Sequence, residues 1–457
     1  GSYYLTQQVW DTICESVSNF PDGPIIPLGY DYEEPLACDD VDFANTAEVL
    51  SLMNELGHID SYAITGGLES PIHEAEYLND IVYVLVDTPV DTPPGFPSYP
   101  GKIRLVDVSQ KDNPVLLTGF KDIYSSVVIT NDLYEGIGGR NFAIDVRDAG
   151  NGTEQIALAN GVDGISLIGR NSGGGLYEMS DISINPWFPS GDIEVARDVA
   201  FAGDYLYVVN EESKVMVIDV STPQNMQVVF DFDQTTGLFD ILTPESESLY
   251  SENSIEPQWN VRMALSPDAN RLFVLNNLNT SSGPSSSLGG LFVYDISNPA
   301  LPVLTSVVDE FPSLQGGVVN QEFITDVDSL GLVAVVSLLN EDAISYDTSD
   351  AYNPVMLHRQ DYGNNNGLSR LRYQTEDVFT FTSYETGIPD SEQYSDAFFR
   401  GGEILTGISG GIDKYLNEQG GGDTLISYPT GYDTEGFYGF VTDNHEKSLI
   451  VVGPYCE

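Results

Sequence analysis

The chain is poor in positive charge, cysteine and histidine, and each shortage excludes something. Only 17 Lys and Arg stand against 70 Asp and Glu in 457 residues, a formal net charge of −53. A surface of that sign repels phosphate backbones, so nucleic acid and anionic membranes are not expected as partners. The three cysteines, Cys14, Cys38 and Cys456, contain no Cys-x-x-Cys pair, which excludes a zinc ribbon, a dithiol redox centre and haem attachment. They leave three single pairings open with one thiol over; one disulfide is expected, its partners undetermined. Among the four histidines, "HEAE" from His73 to Glu76 lacks the second His of a zinc-protease helix, and each His reads as a loop or strand residue. No run of 18 apolar residues occurs, so no membrane span is expected. The chain opens at Gly1 without an initiator Met, as expected of a mature chain whose signal peptide has been removed.

What is present is an ordinary apolar content of 41%, enough to bury a core. The acidity reads as a solvated shell, suited to saline water, or as a surface that takes up calcium. Two stretches carry the calcium reading. "DFDQTTGLFD" offers Asp231, Asp233 and Asp240 as alternating oxygen donors, without the Gly and Glu of a helix-loop-helix calcium site, and "DDVDF" forms a second cluster at Asp39–Phe43. Two glycosylation acceptors, Asn151-Gly-Thr and Asn279-Thr-Ser, lie in Gly- and Ser-rich loops. Acidity, scarce Lys and these loops together place the protein outside the cell or at its surface, where a disulfide would persist.

A repeat decides the fold. The stretch from Ala196 to Asp233 reads as four short strands, "DVAFAG", "YLYVVN", "KVMVIDV" and "MQVVFDF", separated by turn residues. The third strand runs into Asp219-Val-Ser-Thr-Pro223, where Pro cannot donate to a ladder and Asp and Ser can bond nearby amides. Related units begin near Leu78, Gln155, Val261, Phe323 and, more weakly, Leu368, with insertions in their turns. These make six four-stranded units. A seventh is expected to be sewn from both termini: "GFYGFVTDNHEKSLIVVGPY" supplies about two strands, and the others come from around "EVLSLMNELGHIDSYAI". The segment Asn45–Leu56 reads equally as a short helix capped by Asn45, which would move the closing strands upstream. The expected architecture is an all-β, seven-bladed β-propeller over residues 41–457, preceded by an aromatic-rich extension over 1–40.

The phrases "VMVIDVSTP", "IRLVDVSQKDNP" and "LFVYDISNP" resemble the repeat of LVIVD-repeat proteins. The similarity is good over five segments between Leu78 and Tyr362. It implies a secreted or surface-anchored propeller and carries over no catalytic residue, because the motif builds strands and turns.

No constellation names a reaction. "GISGG", Gly407–Gly411, matches a hydrolase elbow with Ser409 as nucleophile, but its flanks lack the parallel α/β pattern that chemistry needs. Paired carboxylates run glycoside chemistry on some propellers, yet 70 acids hide any particular pair. Two segments suit docking: the Pro-rich stretch 89–101, tipped by Phe96 and Tyr99, and the N-terminal stretch with Tyr3, Tyr4 and Trp10. The expected function is a secreted, non-enzymatic binding or structural module for a protein or glycan partner. A subunit of a self-assembling filament or surface layer is a variant of it, and no cofactor is required beyond calcium as a stabiliser. The alternative is a polysaccharide hydrolase or lyase. Convergent carboxylates beside aromatic platforms at the channel mouth would favour the enzyme; a plugged channel would favour binding.

Overall fold

The computed structural model describes residues 53–59, 72–87, 101–117, 143–150, 152–161, 164–182, 196–210, 215–230, 262–266, 270–278, 288–308, 311–312, 318–319, 324–338, 342–361, 366–375, 378–385, 397–403, 414–415, 429–436, 438–443 and 448–454. They form seven four-stranded antiparallel sheets, with one two-stranded ribbon (Phe311–Pro312 with Val318–Val319) between the fourth and fifth. The innermost strands of blades 1 to 7 are Ile72–Leu78, Ala143–Asp148, Ala196–Ala202, Met263–Ser266, Ile324–Leu330, Asn366–Thr375 and Pro429–Glu435. Each touches the next, and the seventh touches the first, so the sheets close into a ring around a channel. No helix among the described residues is long and apolar enough to cross a membrane.

The core lies between blades, and the pleat explains it. Successive side chains of a strand point to opposite faces, so a blade with a neighbour on each side is apolar at consecutive positions. In blade 3, Tyr207, Val209, Val215 and Val217 pack with Leu272, Val274 and Phe292 of blade 4. Leu206, Val208, Met216 and Ile218 turn the other way, onto Ala157, Ile165 and Leu167 of blade 2. Similar clusters join blades 1 and 2, 4 and 5, and 7 and 1.

The Asp-x-Ser turn behaves as its residues dictate. Asp107, Asp219, Asp295 and Asp347 each accept the backbone N–H two residues on, at 2.8–2.9 Å. The residue between, Val108, Val220, Ile296 or Thr348, is buried and sends its own N–H to the hairpin joining the first two strands, at 2.8–3.0 Å. The third strand of blade 3 ends at Asp219 itself, before Pro223.

Three expectations need correction. Blades 1 and 2 begin at Ile72 and Ala143, upstream of Leu78 and Gln155, because charged residues interrupt the apolar pattern of their inner strands. The C-terminal segment gives blade 7 three strands, Pro429–Glu435, Tyr438–Asp443 and Ser448–Pro454, and the N-terminal side gives one, Met53–Ile59, at the outer edge. Met53–Leu56 therefore belong to a strand, which overturns the helical reading there; paired to Pro454–Val452, they gain a ladder that an isolated helix of that length lacks. The extension 1–40 lies outside the described residues.

A meander of four strands puts its first and third turns at one end and its other connections at the opposite end. The ring therefore has a short-turn face, with hairpins such as Gly203-Asp204 and the Asp-x-Ser turns, and a long-connection face. From the latter, strand ends lead into 88–100, 118–142, 183–195, 231–261 and 279–287.

A charged channel as candidate functional site

The inner strands carry charge where other strands carry Val and Leu, and a recurring irregularity aims it. In blades 1, 3, 5, 6 and 7 the pairing slips by one residue just before Glu74, Asp198, Asp326, Arg370 and Gly431. Such a bulge kinks the strand and re-aims the following side chain. The result is a cavity of about 230 Å³ in the channel, lined by Glu74, Glu76, Asp145, Asp198, Asp326 and Asp328 against the guanidiniums of Arg262 and Arg372.

These groups are tied to one another and to the backbone. Arg372 of blade 6 lies 3.2 Å from Asp326, 3.8 Å from Glu76 and 4.0 Å from Glu74. Arg262 of blade 4 reaches Glu74 at 3.4 Å, so an ion network spans the channel from blade 1 to blades 4, 5 and 6. Three aspartates stitch blade to blade. Asp145 of blade 2 accepts Phe201 N–H of blade 3 at 2.5 Å, Asp198 accepts Met263 N–H of blade 4 at 2.8 Å, and Asp433 of blade 7 accepts Tyr77 N–H of blade 1 at 2.6 Å. The other oxygen of each accepts the next N–H of its own strand.

The electrostatics follow from crowding acids away from water. Loss of solvent pushes the Asp145 carboxyl up to about 7, against the two N–H bonds it receives, with Asp198 and Asp433 adding repulsion. Asp198 rises to about 6, again through burial, although Arg262 opposes the shift. Burial and then the Asp433 charge raise Glu76 well above the carboxylate range, and burial raises Asp433. Desolvation works against the Arg372 charge, but Asp326 and Glu76 outweigh it and hold the guanidinium charged.

Measured against the two criteria for the channel, both halves of the answer are present. Carboxylates converge, and one aromatic ring, Phe201, lines the cavity. Yet the guanidinium of Arg147 covers that ring at 4.2 Å, and the network crosses the channel. Glu74 and Glu76 belong to the "HEAE" stretch, which is the inner strand of blade 1. The signal that would have revealed them is charge at every second residue inside a strand-length segment: "EAE" in blade 1, "DVD" in blade 5, "RLR" in blade 6.

Asp231, Asp233, Asp240, Asn151, Asn279, Cys14, Cys38, Cys456, Phe96, Tyr99, Tyr3, Tyr4 and Trp10 all fall outside the described residues, as does Ser409. Among the described residues no group of three or more His, Cys, Asp or Glu is arranged to hold a metal ion.

Seven four-stranded blades closed around a channel define a β-propeller. The LVIVD repeat model matches residues 195–234 and 287–310, which hold the four strands of blade 3 and the outer two strands of blade 4. Among solved structures, the computationally designed Ika8 protein is similar at 11% identity and a TM-score of 0.44, over 88% of this chain and 100% of that one. A structure described as YCF48 bound to D1 peptide is similar at 9% identity and a TM-score of 0.45, over 84% and 92%. No curated protein matches.

Proposed function

We propose that this propeller is a secreted, non-catalytic module that binds a protein or glycan partner through its long-connection face. The observation that carries the reading is the asymmetry of the ring. Insertions accumulate at one end of the blades, while at the other end the first and third turns of blades 1 to 5 are short and several are closed by backbone hydrogen bonds. Connections on a rigid scaffold are where binding residues gather. The channel acids have structural work in the ion network and the blade-to-blade bonds, which supports a plug over a catalytic pair. Self-assembly into a filament or surface layer is the structural variant of the same reading. Calcium is a stabiliser in it through Asp231, Asp233 and Asp240; a melting temperature that ignores chelator would sink that part.

The enzyme reading draws on one observation, the convergence of carboxylates on a cavity beside Phe201. One experiment separates the two. The full chain is incubated with a panel of acidic and neutral polysaccharides, and both retention and product release are measured. Retention without new reducing ends or unsaturated products is expected. Product release that Asp145→Asn or Asp198→Asn abolishes would establish the enzyme instead.

A further inference from the structure

In the blades with an Asp-x-Ser turn, the residue four places after the aspartate meets the preceding blade. The Pro223 carbonyl of blade 3 accepts the Ser180 hydroxyl of blade 2, the Pro299 carbonyl of blade 4 accepts the Tyr207 hydroxyl of blade 3, and the Ala351 carbonyl of blade 5 accepts the Ser306 hydroxyl of blade 4, at 2.5–2.9 Å. In blade 1 that position is Lys111, one of only 17 Lys and Arg in the chain, and the preceding blade is blade 7. Its side chain is 14% exposed. The ammonium lies 5.3 Å from the ring centres of Tyr77 and Tyr438 and 5.4 Å from that of Phe440, with Asp80 at 3.4 Å and Glu435 at 3.3 Å. Tyr77 of blade 1 and Phe440 of blade 7 stack in parallel at 4.9 Å, so the walls of the pocket come from both blades. An ion pair to an exposed carboxylate contributes little alone, but an ammonium drawn from water against ring faces gains more. Three rings and two acids around one nitrogen are the composition of a cage that recognises ammonium.

The pocket sits where the two ends of the chain meet. Turns of blades 3 to 5 grip a blade that the chain has just completed, whereas Lys111 and Glu435 are 324 residues apart. Glu435, Tyr438 and Phe440 belong to the C-terminal strands of blade 7, while blade 1 follows its N-terminal strand, Met53–Ile59. The turn that carries Lys111 also lies on that N-terminal strand, since a Cβ at Gly57 would stand 2.6 Å from the Pro114 Cδ. One turn of blade 1 thus touches both halves of the closing blade, beside the ladder that joins them. Tyr77 links the pocket to the channel: its ring walls the pocket, and its N–H donates to Asp433 at 2.6 Å. We propose that Tyr77, Tyr438, Phe440, Asp80 and Glu435 form an ammonium-binding site filled by the chain's own Lys111, and that this filling latches the ring shut.

The test compares the full chain with Lys111→Met, which keeps most of the stem and loses the charge, and Lys111→Ala, which empties the pocket. Amide hydrogen exchange is followed in the closing ladder, Met53–Ile59 with Ser448–Pro454, and in blade 3 as an internal reference. Both variants are expected to exchange about tenfold faster in the ladder, with blade 3 unchanged. Millimolar n-butylammonium chloride is expected to slow the ladder of Lys111→Ala again, and equal sodium chloride or n-butanol is not. Tyr438→Leu, a milder change that leaves Lys111 and both acids in place, is expected to speed the ladder by less. Exchange that rises equally in the ladder and in blade 3 overturns the latch, because Lys111 would then support the whole fold alike. A ladder that stays closed in Lys111→Met but opens in Lys111→Ala, or that n-butanol restores as well as n-butylammonium, overturns the ammonium site in favour of stem packing. A ladder unchanged in all three variants overturns both parts.

Discussion

The molecule uses aspartate in two places, and the same acid with the same kind of partner behaves in opposite ways. At the short-turn face, Asp107, Asp219 and Asp295 accept backbone N–H groups, and with the adjacent serine as donor they are held below the usual carboxylate range. In the channel, Asp145 and Asp198 accept two backbone N–H groups apiece and are pushed up to about 7 and about 6. Hydrogen bonds to the ionised form lower a carboxyl, and burial among like charges raises it. In the turns water still supplies most of the solvation, so the bonds decide. In the channel, removal of that water outweighs them. A repeat can therefore reuse one chemical device, an Asp on a backbone amide, as a solvent-facing turn lock and as a buried strut.

The comparison breaks most sharply at Asp198. Replacing it with Ala strips the acceptor from the buried Met263 and Val199 amides and removes a counter-charge of Arg262. Breaking a buried, hydrogen-bonded charge costs on the order of 3–5 kcal/mol. Urea unfolding is expected to show a loss of that size, with Asp198→Asn retaining much of it. A loss under 1 kcal/mol would mean that the strut carries no load.

The next effect comes from the channel position that has no side chain. Gly431 of blade 7 stands where blades 1, 3 and 5 carry Glu74, Asp198 and Asp326, and a Cβ there would lie 2.5 Å from the Ala75 nitrogen. Where the ring closes, backbone meets backbone and nothing flexible can give way. Gly431→Ala is expected to destabilise by about 1–3 kcal/mol in urea unfolding, the range for overpacking.

How much of this was legible in the residues depends on how far each interaction reaches. The Asp-x-Ser turn reads directly from "DVS", because acceptor and donor are two residues apart. Blade-to-blade packing is implied by runs such as "VMVID", since only a strand covered on both faces is apolar throughout. Closure by both termini was foreseeable, but its strand count was not: "PTGYDTE" looks like a turn, and it forms a strand because its Pro comes first, where no ladder bond is lost. The channel was hidden for the opposite reason to the turns. Asp326 and Arg372 are 46 residues apart, and Glu74 and Arg262 are 188 apart. Nothing local marks one as the partner of the other.

Acidity gives a third test, with the sign fixed by the raised carboxyls. Unfolded, Asp145 and Asp198 titrate near the ordinary value of about 4; folded, they titrate near about 7 and about 6. Between those limits the folded chain holds more protons, so their stabilisation is complete below the unfolded value and is lost as pH rises through the folded one. Surface carboxylates are already ionised above pH ~6. The melting temperature is therefore expected to fall from pH 6 to pH 8, and Asp145→Asn, a stand-in for the protonated form, should flatten that fall. An unchanged slope in the variant would remove Asp145 from the titration.

The smallest effect belongs to the turns, and it carries the opposite sign in pH. Asp219→Ala removes one hydrogen bond at an exposed turn, where water replaces the acceptor, and is expected to cost about 0.5–1.5 kcal/mol. Because the serine beside it lowers the folded carboxyl, the wild-type contribution is present at neutral pH and is lost as pH falls through the lowered value. The difference between wild type and Asp219→Ala should accordingly shrink below pH ~4, whereas the difference made by Asp145→Asn should grow above pH ~6. Melting curves of the two variants at pH 3.5, 6 and 8 would show the two behaviours in one protein. If both differences moved with pH in the same direction, solvent exposure would not be what separates the turn from the channel.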